Sequence, residues 1–537
     1  MPTDNSPHTT SIHTLDDYSL LNVFYLYRPF LLGEDEDDED RLLGGSEGWA
    51  DEHWWFKLAH VCRRWRNLVI GSASYLGLCL VCTYGTPVAD MLAHSPPLSL
   101  VIDYQGMDIT AGDEEGIFLA LEQRDRVRRI RLYLPVLKLQ KLIMAMDGEY
   151  PILEYLILDD PHRKKSMVLI LPETLETPHL RHLFINCSIP IRSPSLGTAA
   201  GLVNLCLALY HPSTYIQPTV LLQCLSSMPQ LEILLFGFQF AVPNRDVERQ
   251  LMRTPIMTHV TLPNLRIFAI RAVSAYSEAI LSQITTPRLD IFQIRYRKQL
   301  TFSVPQLLQF MGRTENFRFD RAEFEFDCEE VNLSVEVYPP ETNMSMTPFS
   351  IYVDGWHLDW QVSSVTQIFN TIGHIFSTVE HLTLTHKVHS RSSEEHNEVD
   401  RTEWRKLLRS FDNVKTLRID GGLVKELSRC LWLADGEHPL EVLPELQEFT
   451  YSESGNANDA FTSFIDARRN ADRPVTLIKP KTGESPAVCY LLSYSPRLQY
   501  STTITVNPFI DARRNAGRPV ILMKVLYLTL QSRDLDT

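Results

Sequence analysis

"PILEYLILDD", residues 151–160, carries a small pattern that returns along the whole chain. Leu153, Leu156 and Leu158 form L-x-x-L-x-L, and Pro151 stands two residues ahead of the first leucine. A single such triplet says little, because any amphipathic segment can produce it. Recurrence gives it weight. With Val, Ile, Phe or Tyr substituting for Leu, the triplet reappears at Val127/Ile130/Leu132, Leu180/Leu183/Ile185, Leu202/Leu205/Leu207 and Leu231/Leu234/Phe236. It continues at Leu265/Phe268/Ile270, Leu289/Phe292/Ile294, Val379/Leu382/Leu384, Val414/Leu417/Ile419 and Leu446/Phe449/Tyr451. Most intervals are 22 to 35 residues, which brackets the leucine-rich-repeat period.

In six cases a proline precedes the triplet by two residues: Pro151, Pro178, Pro229, Pro263, Pro287 and Pro444. Proline there presets an extended entry and cannot prolong a preceding helix. Between triplets, "PTVLLQCLSSMPQ" and "SEAILSQITTP" read as short helices. Each unit is therefore helix, turn, strand, and the strands stack in parallel. The pattern predicts an α/β fold, an irregular leucine-rich-repeat solenoid over 98–479 that lacks the asparagine ladder of regular repeats. It lapses over about 320–378, where "FRFDRAEFEFDCEEVNLSVEVY" and "FSIYVDGWHLDWQV" alternate with period two and suggest edge strands or a β insertion.

The ends differ from this array. Residues 1–12 are polar and predict a disordered N-terminus. "LDDYSLLNVFYLY" begins a helical module over 13–80, interrupted by the acidic insertion "GEDEDDEDRLLGG" at 33–45. Its seven consecutive carboxylates repel one another and lack the spaced ligands and central glycine of a calcium loop. In "HWWFKLAHVCRRWRNLVIGSASYL", residues 53–76, Leu58, Val61, Cys62, Trp65, Leu68 and Val69 fall on one stripe, predicting an amphipathic helix that stops near Gly71. At the other end, "FIDARRNADRPVTLIK" (464–479) recurs as "FIDARRNAGRPVILMK" (509–524), identical at 13 of 16 positions. The first copy reads as a helix handing over to a capping strand, and the tail 480–537 carries the second copy.

Composition excludes several functions. Across 537 residues the net charge is −15, which disfavours contact with nucleic-acid phosphates. No apolar run is long enough to span a membrane, and the N-terminus lacks the layout of a signal peptide. Nine scattered cysteines fit reduced thiols, hence a cytoplasmic or nuclear setting. Cys79 and Cys82 form a lone CxxC in an apolar context, which reads as buried cysteine. The histidine pairs His179/His182 and His381/His386 flank triplets and read as surface residues. No G-x-S-x-G, H-E-x-x-H, Walker A or G-x-G-x-x-G is present, so neither an enzyme nor a cofactor or metal site is expected.

"LDDYSLLNVF" followed by "LAHVCRRWRNLV" resembles the F-box, in which an L-P-x-E-L-L-x-x-I-F helix leads to a V-C-R-x-W-R helix. "GTPVADMLAHSPPLSLVIDY", "LDWQVSSVTQIFN" and the "FIDARRNAGRPV" ending resemble a large family of fungal F-box-like proteins. Two departures stand out: Asp16 occupies the position of the family's proline, and the acidic insertion separates the two helical parts. The resemblance implies a substrate-recognition subunit of a cullin–RING ubiquitin ligase. Such a subunit docks a Skp-type adaptor and presents a protein target through its repeats. The residues matching the motif, Leu15, Leu20, Leu21, Phe24, Leu58, Val61, Cys62 and Trp65, form the expected adaptor interface, although some of them must face the module's own core and Trp65 suits either role. So small a module has little core of its own for Trp54, Trp55 and Trp65, and a partner helix would complete its apolar face. A ligase-independent repeat scaffold is the alternative.

On the array, triplet residues point inward, so the positions between and after the last two point outward. That selects Arg131, Tyr133, Ile157, Asp159, Phe184, Asn186, Arg271, Gln293, Arg295, Arg418 and Asp420 as target-binding candidates. Their mixture of charge and aromatic surface suits a protein target.

Overall fold

In a computed structural model the structure describes residues 15–27, 54–106, 108–162, 168–189, 200–240, 258–297, 299, 301–314, 319–327, 330–336, 348–355, 357–386, 401–432, 437–451 and 460–478. The expected disordered N-terminus, the acidic insertion and the second C-terminal copy lie outside the described residues. Among the described residues, sixteen strands form one sheet. They begin with β1 (Cys79–Cys82), β2 (Ser99–Gln105), β3 (Val127–Tyr133), β4 (Tyr155–Asp159), β5 (His182–Asn186), β6 (Asn204–Leu209) and β7 (Ile233–Phe238). After a two-residue strand β8 (Val260–Thr261) come β9 (Ile267–Ala272), a second short strand β10 (Ile284–Thr285) and β11 (Ile291–Tyr296). Strands β8 and β10 pair only with each other. The sheet then continues through β12 (Arg321–Phe326), β13 (Glu330–Glu336), β14 (Phe349–Asp354), β15 (His381–His386), β16 (Thr416–Gly421), β17 (Glu448–Tyr451) and β18 (Thr476–Ile478).

Strand order follows chain order except at β11-β14-β13-β12-β15. All pairs in the sheet are parallel save β12–β13 and β13–β14. Each triplet sits at or just ahead of its strand, and the second and third residues align across the sheet. Leu156, Leu183, Leu205, Leu234, Phe268 and Phe292 make one continuous row, and Leu158, Ile185, Leu207, Phe236, Ile270 and Ile294 the next. These rows join the apolar faces of the helices in one buried cluster running from Leu20 to Val475. Helices α8 (Pro218–Ser226) and α9 (Ser274–Leu281) occupy the two segments read as helical.

The prolines have a definite structural role. Each of the six stands four residues before its strand, inside a tight turn. In every case the N–H of the first triplet leucine donates to the carbonyl of the residue before the proline. The bonds are Leu153 to Tyr150, Leu180 to Thr177, Leu231 to Met228, Leu265 to Leu262, Leu289 to Thr286 and Leu446 to Leu443, at 3.2 to 3.4 Å. This is a β-turn with proline at its second position, where the fixed φ is preformed. The turn drops the leucine into the core and releases the chain into the sheet.

Two expectations need correction. Residues 53–76 do not form one helix. They form α2 (Trp54–Ala59), α3 (Arg63–Gly71) and α4 (Ala73–Leu76), with Cys62 extended between the first two at φ −158°. Trp54 and Trp55 are both buried ahead of the break, and Trp55 Nε1 donates to the Cys79 carbonyl of the first strand at 3.2 Å. Burying two indoles outweighs the few hydrogen bonds of a continuous helix. Second, of the two alternatives for 320–378 the topology excludes edge strands, because β12, β13 and β14 lie inside the sheet as an antiparallel set, and "HLDWQV" starts a helix, α11 (Leu358–Ile372). Its core side, Leu358, Val362, Val365, Phe369 and Ile372, follows helical spacing that the short period-two window concealed.

Candidate functional site

The N-terminal surface is built on α1 (Asp17–Tyr27). Asp16, standing where the resembled motif has proline, caps this helix: its carboxylate accepts from Ser19 N at 2.8 Å and from the Ser19 hydroxyl at 3.0 Å. Those donors hold its pKa below the usual carboxylate value. Both proline and aspartate suit a helix start, the one by fixed φ and the other by capping. Arg64 on α3 then clamps the entry, donating to Asp17 Oδ1 at 3.0 and 2.6 Å and to the Leu15 carbonyl at 2.6 Å. Phe24 meets Trp65 edge to face at 4.8 Å.

The eight expected adaptor residues therefore divide. Leu20, Phe24 and Leu58 are the members that face the chain's own core, where they are buried, and so are not part of an exposed docking face. Leu15, Leu21 and Trp65 pack partly against that core, and Cys62 is half-buried at the helix break. Val61 is 56% exposed. Motif matching also missed other exposed apolar residues of the N-terminal helices: Tyr18 is 76% exposed, Leu26 68%, and Val23, Tyr25, Tyr27 and Tyr75 are also exposed. The signal was present, since "DYSLLNVFYLY" is apolar on every side and one core can cover only one side of a helix.

The eleven target-face candidates fall into two neighbouring rows on the sheet face opposite the triplets. One row runs Asp103, Arg131, Ile157, Phe184, Cys206, Leu235, Ala269, Gln293 and Ser350, and reaches Arg418 on β16 through Glu323 and Thr383. The other runs Tyr133, Asp159, Asn186, Ala208, Gly237, Arg271, Arg295 and Tyr352, and reaches Asp420 through Glu325 and Thr385. Tyr133, Asp159, Phe184, Arg271, Gln293, Arg295 and Asp420 are half-buried, and Arg418 is exposed with Nε 2.6 Å from Asp420.

Three of the eleven are not outward groups. Arg131 is buried in a two-point ion pair with Asp103 at 2.8 and 2.5 Å. Asn186 is buried, donating to Asp159 Oδ1 at 3.0 Å and accepting from the Tyr210 hydroxyl at 2.7 Å. Ile157, between Arg131 and Phe184, is also buried. In a parallel sheet, same-face neighbours cover one another, so pointing away from the core does not mean exposure. Sequence reasoning also missed Gln239, Arg297, Glu330 and Asp354, which surround Arg271 and Arg295 beyond or across the strand ends; no triplet offset reaches them.

The remaining sequence candidates resolve simply. Cys79 and Cys82 lie on β1 with their side chains in separate clusters, so the two thiols do not converge on one ligand. Burial pushes the Cys82 thiol up to about 12. His182 stacks on Tyr155 at 4.0 Å, and burial, then Arg129, lowers it to about 4. His381 Nδ1 lies 2.7 Å from the Thr416 hydroxyl. Compared with known proteins, the chain matches no family model and no curated relative. Among the described residues no helix is long and apolar enough to cross a membrane.

Proposed function

We propose that the chain is a substrate-recognition subunit of a Skp–cullin–F-box type ubiquitin ligase. In this reading its N-terminal helices dock a Skp-type adaptor and its parallel sheet belongs to an irregular leucine-rich-repeat solenoid that holds a protein target. The observation that carries it is that the N-terminal helical segment leaves large apolar side chains exposed on α1 and, separately, at Val61. Tyr18, Leu26 and Val61 stay exposed although the same helices bury Leu20, Phe24, Trp55 and Leu58. Exposed large apolar residues gathered on one module mark an interaction surface more often than scattered ones. The pairing of this surface with the V-C-R-x-W-R resemblance selects a Skp-type adaptor as the occupant.

The chain positions two other proteins in this account, and the transfer chemistry belongs to them. One observation favours the scaffold alternative: Leu20, Phe24 and Leu58, three of the eight motif positions, are consumed by the internal core. Co-expression with a Skp-type adaptor separates the readings. The ligase reading expects the adaptor to co-purify with the full chain, and its absence from the purified material supports the scaffold.

A further inference from the structure

Across β7, β9, β11, β13 and β14 the second open-face row ends in a dense set of charges. Arg295 Nη1 lies 3.0 Å from Glu330 Oε2, and its guanidinium sits 4.4 Å above the Tyr352 ring. Arg297 Nε lies 2.9 Å from Asp354 Oδ2. Two arginines are thus matched by two carboxylates. Arg271 is the third. Among the described residues its hydrogen-bond acceptor is the Gln239 amide oxygen, at 2.7 Å, and that oxygen also accepts from Arg297 Nη1 at 3.1 Å. The neighbouring position on β7 is Gly237, where a Cβ would lie 2.6 Å from Arg271 Cβ. Glycine there is what lets the arginine stem lie over β7.

Arg271 is half-buried and faces Arg295 and Arg297; Glu330 and Asp354 lie close enough to act on its charge, yet among the described residues they pair with Arg295 and Arg297 and not with Arg271. Burial first, then Arg295 and Arg297, pulls its pKa down to about 9, against the opposing pull of Asp354 and Glu330. A guanidinium has five donors in a planar fork, and a carboxylate fits that fork with two bonds. We propose that Arg271, flanked by Gln239 and Arg297, is a carboxylate subsite that receives an aspartate or glutamate side chain of the protein target. The proposal rests on the reading of this face as target-binding. It adds the partner's chemistry, an acidic segment, and the place where that segment anchors. Charge complementarity selects the occupant: an acidic side chain can pair with the one guanidinium of the three that, among the described residues, has no carboxylate in hydrogen-bond contact, whereas an arginine or lysine would add a fourth positive charge.

The test is anisotropy of fluorescein-labelled hexaglutamate with the full chain, beside hexaglutamine. Hexaglutamate is expected to bind and hexaglutamine not. Arg271→Gln should weaken binding about tenfold, the scale of one charge-assisted pair. Arg271→Lys, which keeps charge without the fork, should fall between them. Arg266→Gln makes the same charge change at an exposed pair with Asp290 and should alter affinity less than about twofold, as surface pairs do. An unchanged melting midpoint in Arg271→Lys shows that the loss is not unfolding. Equal binding by Arg271→Gln, an equal loss in Arg266→Gln, or displacement of the probe by equimolar inorganic phosphate would each overturn the carboxylate assignment. Adaptor co-purification is independent of Arg271, so its failure would remove the ligase reading while leaving this binding result to stand.

Discussion

Single residues explain parts of the molecule that patterns leave blank. Arg468 is completely buried, and its guanidinium donates to the carbonyls of Leu443, Pro444 and Leu446 at 3.0, 2.9 and 3.1 Å. It thereby holds the last proline turn, whose first residue, Leu443, has φ +52°. Burial holds its pKa below the ordinary arginine value. Arg468→Ala would remove the donor from the Pro444 and Leu446 carbonyls, and one of the two donors from Leu443, and should cost about 3 kcal/mol of stability in urea unfolding. Glu278 is a second case. Its carboxylate caps α10 (Pro305–Arg313), accepting from Gln306 N at 2.5 Å and Leu307 N at 2.9 Å, yet burial outweighs those bonds and raises its pKa to about 7. The folded state thus binds a proton that the unfolded chain releases near its ordinary value of 4.5. This contribution is complete below 4.5 and is lost as pH rises through about 7. Unfolding free energies from urea titrations should fall between pH 4.5 and 8 with a component of about 3 kcal/mol that Glu278→Gln abolishes.

At the scale of elements, what was legible was what is local. The proline turns could be read because φ at proline and the two-residue offset to leucine are properties of a few adjacent residues. The handover from helix to strand in the first C-terminal copy was legible for the same reason: α14 (Thr462–Asn470) is followed by β18. Its end also shows why the two copies differ. Asp472 N donates to the Arg469 carbonyl and Arg473 N to the Arg468 carbonyl, the paired bonds of a Schellman motif, with Asp472 at φ +56°. The second copy has Gly517 at this position, the residue best suited to it. Asp472→Gly should therefore stabilise the chain by about 0.5–1 kcal/mol, read as a rise in thermal midpoint. The break at Cys62 was not legible. It goes with the burial of Trp54 and Trp55 ahead of it and with Trp55 meeting a strand more than 20 residues away, while the local spacing of Leu58, Val61 and Trp65 favours a continuous helix.

The whole molecule was legible as an α/β chain with parallel strands, because periodic triplets fix which side of each strand is buried. The rows of the open face followed from the same offset and place all eleven candidates correctly on one face. Their exposure did not follow: Arg131, Ile157 and Asn186 are covered by neighbours from adjacent strands. Nor did the reversal at β14-β13-β12, because a period of two says which side chains face inward and nothing about strand order. The N-terminal module shows the same division. Apolar patterning marked its helices, while the partition of Leu58 inward and Val61 outward depended on the helix break. The adaptor, if it docks, must use the outward set. The most direct measurement is calorimetric titration of a purified Skp-type adaptor into the full chain and into a Leu26→Asp/Val61→Asp variant. Both residues are exposed, so folding should be retained within about 0.5 kcal/mol. The account predicts saturable binding by the full chain and at least about a tenfold loss in the variant, since two charges would be buried without partners. Absence of binding by the full chain, or equal affinity in both proteins, would contradict it.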